Sequence, residues 1–228
     1  MEPLCKRQGA LVAWYDPQGF SRPDLLDEAV DAILRFIASK ERLVDDFQDG
    51  MQFRVGWSSL TLRAGENGFV LCEPDFSTGA LVDHVTVSAQ IAAMQQRLNT
   101  RTNTAYSPCH CFETVGLFEG ALEVPDLLLV RSDRMSPVHS GWMITPRNRR
   151  DAALQELPSC LLLGTRPHLL QALSLPDGSL VTVSGEEILA VRDVENNDLL
   201  GDGDDEPTWL PQEEAPRTAG WLDRLFGS

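Results

Sequence analysis

Leu26, Ala29, Val30, Ile33, Leu34 and Ile37 recur at the three- and four-residue spacing of one helical face, while Asp27, Glu28, Asp31 and Arg35 fall elsewhere. Ser21 can cap this run, and Pro23 and Asp24 suit a first turn, so the pattern predicts an amphipathic helix over 22–40. Before it, Leu11–Tyr15 reads as a short strand ended by the turn Asp16-Pro17-Gln18-Gly19. After it the period changes to two. Phe53, Val55 and Trp57 share one face, Leu60 and Leu62 begin a second run, and Gly65-Glu66-Asn67-Gly68 turns the chain into Phe69-Val70-Leu71-Cys72. This is a meander of about three strands. Val87, Ile91, Met94 and Leu98 then predict a second helix over 84–98, and residues 99–108 are polar and turn-rich.

Residues 109–118 read as a strand, as do 127–130 and 141–144. A short helix is expected over 151–157, a strand over 159–163 and a turn or two of helix over 167–173. Leu180-Val181-Thr182-Val183 and Ile188-Leu189-Ala190-Val191 close a hairpin across 184–187. Hairpins mixed with scattered helices imply an α+β fold of antiparallel sheets. The expected organisation is an N-terminal α+β domain over 1–118, a C-terminal α+β domain over 119–192, and a tail over 193–228.

Charge changes the picture at that tail. Residues 193–214 hold nine acids and no Lys or Arg; without them the net charge of −15 falls to −6. Such a segment buries too little to offset the entropy of ordering, so a loose acidic tail is expected. It ends in Trp221, Leu222, Leu225 and Phe226, a short amphipathic hook. The acidity argues against nucleic acid, whose phosphates need Lys and Arg, and against docking on anionic lipid. It suits solubility or a basic partner. No apolar run approaches the roughly 20 residues that span a bilayer, and the first residues show no secretion signal. Five cysteines, an odd and sparse set, fit reduced thiols in a cytoplasm rather than a disulfide framework.

Three constellations invite chemistry. His139 and Ser140 resemble a base and its nucleophile, but neighbours in a strand point to opposite faces. Val138 and Trp142 stand where a nucleophile elbow needs glycines. Ser140-Gly141-Trp142 therefore reads as a strand entry with Trp142 in the core, and Ser140→Ala is expected to be nearly silent. Cys109-His110-Cys111 offers soft ligands, but the spacing is wrong for structural zinc and no second pair accompanies it. A thiol- or metal-dependent hydrolase built on these three is the weaker alternative. Asp202, Asp204 and Glu206 mimic the opening of a calcium loop, yet Pro207 occupies the position that needs glycine. No catalytic residue, cofactor or metal is assigned.

The segment 127–191 resembles a bacterial immunity-protein domain, type thirty-three of the polymorphic-toxin immunity families. The likeness is carried by Val130-Arg131-Ser132, Ser140-Gly141-Trp142, Leu161-Leu162-Leu163-Gly164, Pro167-His168-Leu169-Leu170 and Pro176-Asp177-Gly178-Ser179. Two features depart from that family. His139 stands where an acid commonly precedes the Ser-Gly-Trp triplet, and Thr145-Pro146-Arg147-Asn148-Arg149-Arg150 replaces an acidic, glycine-containing stretch. The resemblance implies a non-enzyme of the bacterial cytoplasm that binds and neutralises a cognate, basic toxin. Asp202, Asp204, Asp205, Glu206 and Trp209 are the candidate partner contacts, and Ser140, Gly141 and Trp142 the structural motif. A secretion-system adaptor docking through its C-terminal hook is the other alternative.

Overall fold

The computed structural model describes residues 3–40, 47–132, 136, 138–148 and 153–200. The fold is α+β with two sheets. The chain divides into two compact units inside one helix, between Ala93 and Met94.

The first unit is a six-stranded sheet and a helix. β1 (Leu4–Gln8), β2 (Leu11–Tyr15), β3 (Gln52–Val55), β4 (Ser58–Gly65) and β5 (Gly68–Pro74) stand in the order β1-β2-β5-β4-β3, and β6 (Leu81–Val82) pairs with β5. All pairings are antiparallel except β2 with β5. α1 (Pro23–Lys40) buries the six apolar positions that its spacing predicts. Leu11, Ala13, Tyr15, Leu60, Leu62 and Leu71 alternate along their strands and are no more than 2% exposed. Lys6 fixes the helix to the sheet edge: its Nζ donates to the carboxylates of Asp27 and Asp31, each at 2.6 Å, and the Tyr15 hydroxyl donates to Asp27. The turn Gly65-Glu66-Asn67-Gly68 joins β4 to β5 as expected, with Gly65 opposite Gly68. β1 has no clear alternation in Leu-Cys-Lys-Arg-Gln and was not foreseen.

α2 (Thr86–Thr102) begins in the first unit and ends in the second. Its start is held by Glu73, which is fully buried. Glu73 Oε1 accepts the Val87 N–H at 2.9 Å and Oε2 accepts the Ser88 N–H at 2.7 Å, satisfying donors that a first helical turn leaves open. His84 Nδ1 lies 3.0 Å from Glu73 Oε1.

The second unit holds the other six-stranded sheet, in the order β10-β7-β9-β8-β11-β12. Its strands are β7 (Thr114–Phe118), β8 (Asp126–Arg131), β9 (His139–Pro146), β10 (Leu154–Pro158), β11 (Leu180–Ser184) and β12 (Glu187–Arg192). β7 and β9 are parallel and the remaining pairs antiparallel. Val115, Leu117, Leu127, Leu129, Trp142, Ile144, Val181 and Val183 are buried, and cross-strand register sets Ile144 beside both Leu117 and Leu129. Two 3-10 helices, Ser159–Gly164 and Pro167–Ser174, supply Leu162, Leu169, Leu170 and Leu173 to the core. The second is tied to the end of α2, where Gln95 Nε2 donates to Leu170 O at 2.9 Å and Ser174 Oγ to Asn99 Oδ1 at 2.5 Å.

Several local expectations change. Residues 154–158 pair along β7 instead of forming the end of a helix over 151–157; so short a helix is marginal alone, whereas the ladder satisfies its backbone. Residues 159–164 are 3-10 helix rather than strand; the N–H groups of Ser159 and Cys160, which a first helical turn leaves without an internal acceptor, are satisfied by Glu113 O and Cys111 O. Residues 109–113 form a turn, and the strand begins only at Thr114. β7 pairs with β9 and β10 in the second unit. The first residues of the tail fold back: Leu199 N–H donates to Val191 O at 2.7 Å, and Asp193 accepts from the Asn197 backbone and side chain, each at 2.8 Å.

Candidate functional site

The Ser140-Gly141-Trp142 motif lies in β9, near the middle of the second sheet. Gly141 has φ +85°, and its carbonyl accepts the Ser132 N–H at 3.0 Å. A β-carbon there would come within 3.0 Å of Ser132 O, so both conformation and space demand glycine. The fully buried Ser140 Oγ donates to Thr114 O at 2.8 Å and accepts the Trp142 N–H at 3.3 Å. It thereby joins β9 to β7 where their regular ladder slips. Trp142 is 0% exposed.

The partner of Trp142 across the strands is Arg131, an arginine in the core at 2% exposure. Its guanidinium lies 5.8 Å from the Trp142 ring centre. Nη1 donates to Ser107 O at 2.5 Å and to Leu175 O, and Nε lies 2.8 Å from the Asp177 carboxylate. A buried guanidinium is tolerable because these carbonyls and one carboxylate replace its water. Arg131 thus gathers the loops around 107, 175 and 177 onto the motif strand.

His139 and Ser140 do not form a dyad. His139 Nδ1 accepts the Gly141 N–H at 2.9 Å, which leaves Nε2 as the ring's other nitrogen. That Nε2 and Trp142 Nε1 are buried without a hydrogen-bond partner among the described residues. Ser140 spends its hydroxyl on the backbone. The Ser140 hydroxyl and the His139 Nδ1 are both engaged with backbone groups rather than with each other.

Cys109 and Cys111 are both 0% exposed and flank a turn, with His110 partly exposed between them. Among the described residues no group of three or more His, Cys, Asp or Glu side chains could hold a metal ion. Cys160 lies beside this turn, its N–H donating to Cys111 O at 3.0 Å, and burial pushes its thiol up to about 11. The tail candidates Asp202, Asp204, Asp205, Glu206 and Trp209, and the hook of Trp221, Leu222, Leu225 and Phe226, lie outside the described residues.

Three basic side chains, Arg166, His168 and Arg131, are not singled out as sites by the sequence. Arg166 donates from Nη2 to Val124 O at 3.1 Å and reaches Leu122 O and Gly185 O, pinning the loop before β8 to the β11–β12 turn. His168, 6% exposed, is held down at about 4 by burial and by the neighbouring Arg166. Arg131 could have been found from alternation alone, since Leu127, Leu129 and residue 131 share the inward face of β8.

Residues 94–194 match the family model of the Imm33-like domain. The match starts at the first residue of the second compact unit and takes in its whole sheet. No curated protein and no solved structure matches the chain.

Proposed function

We propose that this chain is an immunity protein: it binds a cognate toxin delivered between bacteria and blocks it without chemistry of its own. The observation that carries this reading is the Imm33-like match over residues 94–194, a domain type of immunity proteins. The net charge of −15 supports a basic partner, because an acidic inhibitor gains association rate from steering. Asp202, Asp204, Asp205, Glu206 and Trp209 are candidates for that early attraction. The protein would act in the cytoplasm of the cell it protects. No helix among the described residues is long and apolar enough to cross a membrane.

The test is genetic. The gene beside this one should encode a toxin, and inducing it alone should stop growth. Co-expression of this chain should restore viable counts. A harmless neighbour, or a lethal one that this chain does not counter, would sink the reading.

A further inference from the structure

We propose that Phe112 is the anchor by which the chain docks on its toxin, and that the partner offers an apolar pocket for one aromatic ring with basic groups at its rim. This rests on the toxin-binding reading above.

Phe112 is the most exposed of the described aromatic side chains, at 58%, although the residues on either side of it are buried. The turn that shows it is fixed from several directions. His110 N–H donates to Glu113 Oε2 at 2.9 Å, and Glu113 N–H returns to His110 O at 2.9 Å. Ser159 Oγ reaches the carbonyls of His110 and Cys111 at 3.1 and 3.2 Å. Cys109 N–H is bound by Leu173 O at 3.1 Å. Within the chain the Phe112 ring meets the His110 ring, 5.5 Å between centres and tilted by 58°, which fixes its direction while leaving most of it open to solvent. The ring is therefore held ready for something outside its own core, and a pre-ordered aromatic loses little freedom on binding.

The surroundings extend the surface. Thr114 N–H donates to Val138 O at 2.8 Å, which sets Val138, 62% exposed, at the same end of the parallel strands. The exposed Glu156 stands at that same end, its Oε2 3.3 Å from Thr114 Oγ1, two residues along from Phe112. A partner that takes the ring into an apolar pocket would meet this carboxylate with a basic group at the pocket's rim.

The experiment measures affinity between the full chain and the purified protein encoded by the neighbouring gene. Phe112→Asp should weaken binding by roughly 30-fold or more, the scale of a hot spot, with the melting temperature unchanged. Leu189→Asp, which adds the same charge at a 49% exposed site on β12, should bind as the wild type does. A photo-crosslinking phenylalanine analogue at 112 should capture the neighbour, and the same analogue at 189 should not. Wild-type-like binding by Phe112→Asp, or equal losses from both variants, would overturn the anchor and leave toxin binding standing. Failure of the wild type to bind would remove both. Should Phe112→Asp melt early, the two crosslinking positions decide.

Discussion

The space beside Gly141 is filled by the carbonyl oxygen of Ser132, which stands where a β-carbon would have to go. Gly141→Ala must therefore move backbone on β8 or abandon its positive φ. We expect a loss of at least about 3 kcal/mol, combining left-handed strain with the clash. Urea unfolding measures it, and a loss below about 1 kcal/mol would show that the strand junction is softer than its geometry.

The sequence alone suggests that Ser140→Ala is nearly silent. The structure revises this, because removing the hydroxyl takes a hydrogen bond from the part-buried Thr114 carbonyl and from the Trp142 N–H. The expected cost is about 1–3 kcal/mol. Trp142→Ala should cost roughly 3–5 kcal/mol, since the whole indole is enclosed. In the viability assay Ser140→Ala should still protect cells at permissive temperature. A stable Ser140→Ala protein without protection would mean the hydroxyl does more than join strands.

Glu73 and His84 give the first unit a pH dependence of definite sign. The hydrogen bond to Glu73 raises the His84 pKa above its ordinary 6.5. The stabilisation is fully present below about pH 6.5 and is lost as pH rises through the higher folded value. The ring is 44% exposed, so screening limits the effect to no more than about 1 kcal/mol. The stability gap between wild type and His84→Gln should be widest near pH 6 and should close in alkaline buffer.

His168 gives the second unit the opposite dependence. Its folded pKa, about 4, lies below the unfolded 6.5, so the unfolded chain binds more protons between those values. Stability should fall as pH drops through that window, by a few kcal/mol in all. His168→Gln should flatten the acid limb by about one proton. An unchanged limb would place the acid sensitivity elsewhere.

What could be read from the sequence was what neighbours in the chain decide. α1 follows from the spacing of Leu26 to Ile37, the β4–β5 turn from its paired glycines, and the β11–β12 hairpin from two apolar runs around a short turn. What escaped depends on distant partners. Residues 154–158 become a strand because β7 lies alongside, and the 3-10 turns over 159–164 are anchored where Glu113 O and Cys111 O take the open N–H groups of Ser159 and Cys160. Ser140-Gly141-Trp142 was legible as a motif, but Arg131 was not legible as its partner. Alternation turns residue 131 inward beside Leu127 and Leu129, but what holds a guanidinium there is three ligands from distant loops, the carbonyls of Ser107 and Leu175 and the carboxylate of Asp177.

The strand order of the second sheet also fixes when its parts can form. β7 and β8 leave the ribosome first, yet they never touch: β9 sits between them, parallel to one and antiparallel to the other. Until residue 146 has emerged, both earlier strands carry open edges with nothing native to pair with. A nascent chain ending at Arg131 should accordingly be protease-sensitive beyond α2, and protection should begin only in chains that extend past β9. The strand bearing the Ser-Gly-Trp motif is thus the first to join the two earlier strands, and the delay before it arrives exposes a growing chain to misfolding.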